Sequence, residues 1–322
     1  MILALAGGVG GAKLAEGLAA VLPDGALTVV VNTGDDFEHL GLHISPDIDT
    51  ITYTLAGINN REQGWGIEGE TWNFMSALER MGGETWFRLG DRDLATHVER
   101  TRRLKSETLS AITADFAKRL GIRQNIVPMT DDRMRTIVLT DEGRLTFQEY
   151  FVQRACKPKY DTLTFEGLGQ AKASPGVLAA LNSPDLEAIV ICPSNPFLSI
   201  LPIVGVRGIR ELLDRRRVPI VAVSPIVGGK AIKGPAAKMM REHGWKPSAV
   251  SVARYYFVNL RRIADGFVID KADARLAGQI KGPETLVTDT IMRDRDDKIR
   301  LATEVLDFAK RVSPPPNSRS WE

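Results

Sequence analysis

Two short stretches near the start of the chain gather the residue types that handle phosphate. Ala6-Gly7-Gly8-Val9-Gly10-Gly11-Ala12-Lys13 sets four glycines and a lysine directly after an apolar run, Ile2 to Ala6. Glycine lets a backbone approach an anion closely, and the first N–H groups of a helix starting here would point at it. Gly7, Gly8, Gly10, Gly11 and Lys13 are therefore expected to bind phosphate. The spacing matches neither a Walker A loop, which ends in Lys-Ser or Lys-Thr, nor the dinucleotide fingerprint G-x-G-x-x-G. A turn that serves only tight strand–helix packing is the competing reading.

The second stretch carries acids. Asp35, Asp36, Asp47 and Asp49 fall within fifteen positions, in Asn32-Thr33-Gly34-Asp35-Asp36 and His43-Ile44-Ser45-Pro46-Asp47-Ile48-Asp49. Taken singly, each suits a turn or a helix cap, and Asp47 or Asp49 can cap a helix starting near Asp49. Clustered carboxylates beside an anion repel it unless a cation lies between, and hard oxygen ligands suit Mg²⁺, which would also neutralise developing phosphate charge. His39 and His43 lack a nearby third soft ligand, so zinc is not expected.

Three further segments have the composition of ligand loops. Cys192-Pro193-Ser194-Asn195-Pro196 and Ser224 to Pro235, with Gly229, Lys230 and Lys233, each follow an apolar run. Gly90-Asp91-Arg92-Asp93 opens a helical pattern, where capping is the bland alternative to ligand binding. Trp65, Trp72 and Trp86 lie near it, and aromatics there either stack on a planar ligand or fill a core.

These groups need a frame. The runs Ile2–Ala6 and Leu27–Val31 read as strands buried on both faces, with a helix Lys13–Leu22 between them, which makes a βαβ unit. Leu186–Cys192 and Val218–Val223, joined through a helix Val206–Arg217, repeat the pattern. The fold class expected is α/β, a Rossmann-like doubly wound, mostly parallel sheet. Helical patterns at Thr71–Met81, Asp91–Arg103 and Thr108–Leu120 precede strands at Thr136–Leu139 and Leu145–Val152. We read residues 1–60 and 185–312 as the nucleotide-binding core, 61–184 as an inserted helical and β module that covers the site, and 313–322 as a flexible tail. Tyr256–Leu260 and Gly266–Ile269 read as further strands and Ile291–Val312 as a terminal helix.

Composition narrows the class without naming it. The chain of 322 residues is 43% hydrophobic and 25% charged, ordinary for a globular enzyme. Its 42 basic and 40 acidic residues leave +2, too little for a surface that coats nucleic acid. No apolar run approaches the roughly 20 residues that cross a bilayer. Two cysteines without metal spacing fit a reducing compartment, so the expected location is the cytoplasm.

Taken in order, the glycine loop at 6–13, Asn32–Asp36, Gly41–Thr50, Leu89–His97, Pro193–Pro196 and Ser224–Lys230 resemble the 2-phospho-L-lactate transferases. The resemblance implies an Mg²⁺-dependent transfer in coenzyme F-420 biosynthesis. A guanylylated phospho-acid, such as lactyl-2-diphospho-5'-guanosine or its enolpyruvyl or glyceryl analogue, donates the phospho-acid to the hydroxyl of the deazaflavin Fo, and GMP leaves. Joined to the residues, it makes Asp36, Asp47 and Asp49 the metal ligands, with Asp47 or Asp49 as catalytic proton acceptor. The glycine loop, Lys13, Ser194, Asn195, Gly229 and Lys230 would hold the phosphates and nucleotide. Thr33, Asp35, Trp86, Asp91 and Arg92 would face Fo. The partners expected are these small molecules, with a homodimer as the default assembly. The rival readings are a non-catalytic nucleotide-sugar-binding regulator of the gluconeogenesis-factor type and an NAD(P)-dependent oxidoreductase.

Overall fold

A computed structural model describes residues 1–314, so the tail expected from 313 onward lies almost wholly outside the described residues. Seven parallel strands form the central sheet: β1 (Ile2–Ala6), β2 (Leu27–Val31), β3 (Asn125–Pro128), β4 (Ala188–Ile191), β5 (Ile220–Val223), β6 (Gly266–Asp270) and β7 (Glu284–Thr288). Their spatial order is 3-2-1-4-5-6-7, which is the doubly wound α/β arrangement expected. The chain winds outward one way from β1 through β2 and β3, then the other way from β4. The crevice between β1 and β4 is therefore where this architecture receives ligands.

β1 shows why an unbroken apolar run makes such a strand. Leu3 and Leu5 pack into the core on one face of the sheet, and Ile2, Ala4 and Ala6 into the core on the other. Fully burying one large aliphatic side chain contributes roughly 1.5–3 kcal/mol. Every residue of β1, β2 and β4 is buried, so the central three strands anchor the fold.

The segment 61–184, read as one inserted module, also supplies β3, which pairs with β2 from Thr28↔Asn125 to Val31↔Pro128. Helices α3 (Asn73–Arg80), α4 (Asp91–Arg103) and α5 (Leu109–Arg119) precede that edge strand, and a separate antiparallel sheet of 135–140, 143–146 and 160–166 follows it. The Asn125–Pro128 run is short and ends in proline, so nothing in its pattern marks it as part of the main sheet.

Other boundaries shift for identifiable reasons. Helix α1 (Gly8–Val21) starts at the second glycine, not at Lys13, and so includes Gly10 and Gly11 in its first turn. Leu145–Val152 is not one strand: Gly143–Thr146 ends the hairpin, and Glu149–Gln153 turns as a π-helix. Tyr256–Leu260 is likewise no strand but a π-helical extension of the helix Ala249–Arg254, which buries Tyr255 and Tyr256 together. Consecutive aromatics carry strand propensity, and burial of both on one side overrides it. The helix expected over Val206–Arg217 is only Ile209–Asp214, and the terminal helix is Arg295–Ala309, capped by Asp294.

Candidate functional site

The loops leaving β1 and β4 interlock at the switch point. Ser194 Oγ accepts the Gly7 N–H at 3.0 Å and donates to the Gly7 carbonyl at 2.9 Å. A Cβ on Gly10 would stand 2.4 Å from the Pro193 carbonyl oxygen, and one on Gly11 2.7 Å from Ser194 Oγ. Both glycines are therefore required by close packing of the two loops. Gly8 has φ +64, a left-handed conformation that suits glycine, and its N–H donates to Asp47 Oδ1 at 2.8 Å.

Helix α2 (Pro46–Leu55) brings Asp47 to this loop. Pro46 at its first position suits a helix start, where the missing N–H has no intrahelical partner to lose. Asp47 Oδ2 also accepts from Asn32 Nδ2 at 3.0 Å, while Asn32 Oδ1 accepts the Gly34 N–H at 2.9 Å. Burial lifts the Asp47 carboxyl to about 6, against the bonds from Asn32 and Gly8 that favour its charged form. Burial, reinforced by the nearby Asp47, raises Asp35 well above the usual carboxylate range. Asp36 accepts from Ser45 Oγ at 2.8 Å and faces His43 Nε2 at 3.1 Å.

Asp35, Asp36 and Asp47 thus form one buried acidic group at the ends of β1 and β2. Asp35 Oδ1, Asp36 Oδ1 and Thr33 Oγ1 are buried there without a hydrogen-bond partner. Unpaired buried oxygens of this kind are costly in an apolar setting and suit an added donor or cation.

Asp49 does not join them. Two residues along a helix turn a side chain by about 200°, so Asp47 and Asp49 leave α2 on nearly opposite faces. Asp49 instead pairs with both terminal nitrogens of Arg100 on α4, which is 1% exposed. His97 Nδ1 lies 3.7 Å from Asp49, His97 Nε2 lies 3.2 Å from Asp93, and Tyr53 Oη donates to Asp93 at 2.6 Å. Asp49, Asp93 and His97 each offer a potential metal-ligand atom within 4.8 Å of the others. Arg100 already supplies positive charge to that group. Sequence reasoning missed Arg100; the signal was the helical spacing of Asp93, His97 and Arg100, a polar stripe on a face that packs inward.

The remaining expected residues fall into separate places. Lys13 points away from the glycine loop: its ammonium donates to the Met292 carbonyl at 2.8 Å, and burial, with Lys298 and Lys233 nearby, lowers its pKa. Asn195 Oδ1 accepts the N–H groups of Phe197 and Leu198 as a cap. Gly228 and Gly229, φ +56 and +75, make the two-residue turn of a hairpin pairing Val227 with Lys230, whose side chain is exposed. That turn accounts for both glycines without an anion.

Asp91 is a staple: it accepts from Thr71, from Asn73 and from the Phe74 N–H at the start of α3, and these bonds, led by Thr71, lower its pKa to about 2. Arg92 is exposed and donates to the Glu68 carbonyl. Trp86 stacks edge-on to His39 at 5.0 Å, within a small cluster of Phe37, Phe87, Met75 and Leu89. A second missed residue is Arg135, 7% exposed, whose strand docks on the acidic loop through a Thr136 N–H to Gly34 carbonyl bond of 2.6 Å. In the sequence it reads as the polar head of a strand.

With this geometry in view, comparison with known proteins gives a consistent answer. The family model described as 2-phospho-L-lactate transferase CofD matches residues 2–314. A 2-phospho-L-lactate transferase of Methanopyrus kandleri is 41% identical over 310 residues, 96% of this chain and 97% of that one. A phosphoenolpyruvate transferase of Streptomyces griseus is 40% identical over 319 residues, 97% and 99% of the two chains. Among solved structures, a UPF0052-family protein of Bacillus halodurans covers 95% of this chain and 98% of its own with a TM-score of 0.59. At 14% identity that likeness speaks for the fold alone.

Proposed function

The chain belongs to the 2-phospho-L-lactate transferase family and is a transferase of coenzyme F-420 biosynthesis, and from that premise we propose how its own residues serve the reaction. The donor is a guanylyl diphosphate ester of a three-carbon acid. The Fo hydroxyl oxygen bonds to the phosphorus that carries the acid, the bond from that phosphorus to the bridging oxygen breaks, and GMP departs with that oxygen. A phosphodiester remains.

The observation that carries the assignment is the buried acidic group beside the glycine loop. In this reading the α1 N-terminus faces the diphosphate through the N–H groups of Val9 and Gly10, those of Gly7 and Gly8 being held by Ser194 and Asp47. Asp47 receives the hydroxyl proton: with a pKa of about 6 it is ionised at neutral pH yet basic enough to be useful. Asp35 and Asp36 would hold Mg²⁺, since their unpartnered oxygens Asp35 Oδ1 and Asp36 Oδ1 fit a hard cation, whereas both oxygens of Asp47 already accept hydrogen bonds from Gly8 and Asn32. When bound, the ion offsets phosphate charge and orients the diphosphate. The Asp49–Asp93–His97 group fits it less well, because Arg100 and Tyr53 already serve those acids. Trp86, Thr33 and the 35–36 loop would border the Fo side.

Similarity does not select the acid, since phospholactate and phosphoenolpyruvate relatives stand at 41% and 40%. No helix among the described residues is long and apolar enough to cross a membrane. With Cys156 and Cys192 both free, we take the cytoplasm as the working location, and a homodimer as the assembly that light scattering would check.

The test is incubation with Fo, Mg²⁺ and the lactyl, enolpyruvyl and glyceryl donors in competition. Chromatography should show a phosphodiester-linked deazaflavin and stoichiometric GMP, abolished by a chelator. Tight binding of nucleotide-sugars with no product from any donor would instead identify a non-catalytic regulator.

A further inference from the structure

A cavity of about 240 Å³ adjoins the first turn of α1 and holds charges that the transfer reaction has not yet used. It runs along one face of that helix, where Val9, Lys13 and Glu16 follow one another at helical spacing. The 59–64 loop closes part of it: Gly64 sits so near Val9 that an added Cβ would stand 2.6 Å from Val9 Cγ1. Lys233, in the loop after β5, holds that segment by donating to the Gln63 carbonyl at 2.5 Å. Residues 293–298, at the start of the terminal helix, form another wall.

Lys13, Arg61, Arg293, Arg295 and Lys298 line the cavity against two acids, Glu16 and Asp294. Both acids are committed. Glu16 pairs with Lys298 at 2.5 Å, and Asp294 caps the terminal helix by accepting the Asp297 N–H at 2.9 Å. Arg293 faces Asp289 and Asp297, which leaves Lys13, Arg61 and Arg295 without an ion-pair partner among the described residues. Burial and the nearby ammonium groups of Lys298 and Lys233 lower the Lys13 pKa, as expected where like charges are held together. Thr54, in the last turn of α2, supplies an observation independent of charge. It lines the same cavity, is 4% exposed, and its buried hydroxyl has no hydrogen-bond partner. Surplus positive charge and an unpaired hydroxyl are both satisfied by an anion with several acceptor oxygens.

We infer that this cavity binds a phosphate dianion and, in turnover, takes the phosphate that leaves with GMP; the second part rests on the transferase reading above. The cavity shares Val9 with the α1 N-terminus that faces the diphosphate. Before transfer each phosphate of the donor carries one negative charge. When the bond to the bridging oxygen breaks, its electron pair stays on GMP, whose phosphate becomes a dianion. The Fo proton passes to Asp47, and the phosphodiester keeps one charge. Charge therefore develops on the leaving phosphate, and fixed cations beside it lower the barrier.

Calorimetry with GMP, guanosine and inorganic phosphate as separate probes compares the wild-type chain with Arg61→Gln/Arg295→Gln and with Thr54→Val. Arg119→Gln/Arg123→Gln, which removes two charges outside the cavity, is the control. Arg61 and Arg295 are exposed, so the paired variant should keep the fold, as thermal melts verify. It should bind GMP and phosphate roughly tenfold more weakly, the loss of charge-assisted bonds, and leave guanosine within about twofold. Thr54→Val should weaken GMP roughly threefold, and the control should match the wild type. With donor saturating, kcat of the paired variant should fall roughly tenfold while KM for Fo stays within about twofold. Unchanged GMP and phosphate binding in the paired variant, or equal weakening by the control, overturns the site. Weakened phosphate binding with GMP affinity and kcat both intact overturns its role for the leaving phosphate. A chain that binds GMP through these arginines but forms no phosphodiester from any donor overturns the transferase reading and leaves the phosphate site standing.

Discussion

Asp47→Asn separates the chemistry of the acidic group from its cost to the scaffold. Asp47 is 8% exposed, and burial lifts its pKa from the ordinary 3.8 to about 6. Between about pH 4 and pH 6 the folded chain holds a proton there that the unfolded chain has released. The contribution of this group is therefore fully present below the unfolded value and is lost as pH rises through the folded one. A proton affinity raised roughly a hundredfold corresponds to roughly 3 kcal/mol of native-state penalty at pH 7.5. Asparagine removes the charge, but its amide N–H group would confront the Asn32 amide, and losing that bond costs about 1 kcal/mol. Metal-free Asp47→Asn should thus be about 1–2 kcal/mol more stable than wild type at pH 7.5 and no more stable at pH 4.5. Urea denaturation followed by far-ultraviolet circular dichroism, with chelator present, reads both values, and transfer activity should drop at least about 100-fold. A variant less stable at pH 7.5, or a difference that does not change with pH, refutes the account of Asp47 as a strained buried acid.

Arg100→Leu should destabilise the chain by about 3–5 kcal/mol, because it strands Asp49 as a buried charge, and the double variant Asp49→Leu/Arg100→Leu should recover part of that in the same urea assay. Gly10→Ala places a Cβ 2.4 Å from the Pro193 carbonyl; it should lower the melting temperature by several degrees and abolish phosphodiester formation, whereas Gly25→Ala, with nothing near its added Cβ, should cost only the strain of its φ of +74. Asp91→Ala should speed amide hydrogen exchange at the start of α3 while α4 stays protected. Since Asp91 has a pKa lowered to about 2, its contribution should be present above the usual carboxylate range and vanish as pH falls through 2. Cys192, buried and pushed up to about 12, should resist thiol reagents at pH 8 until the chain unfolds.

The frame was written locally. Ile2–Ala6 and Leu27–Val31 are apolar without alternation, and only a strand covered on both faces buries every residue of such a run. The glycines after β1 were equally legible, since the architecture fixes where a glycine loop between strand and helix must lie. The π-helical turns at Glu149–Gln153 and Tyr255–Asn259 were not, because their residues have strand propensity and only packing against distant elements decides otherwise.

Within the site, the sequence determined that carboxylates and glycines meet at the end of the first two strands. Which carboxylates share a cluster was decided by the third dimension. Asp47 and Asp49 are neighbours in the sequence, but α2 turns one toward Gly8 and the other toward Arg100, fifty-one positions away. Lys13 was legible as a cation beside the glycines, and the helix rotates it to the Met292 carbonyl. The strand 135–140 meets the acidic loop from about a hundred positions beyond it, docked by the bond from the Thr136 N–H to the Gly34 carbonyl. Type and spacing reveal which groups the chain provides; burial and the direction of each side chain, which set charge state and partner, exist only once the distant segments have packed together.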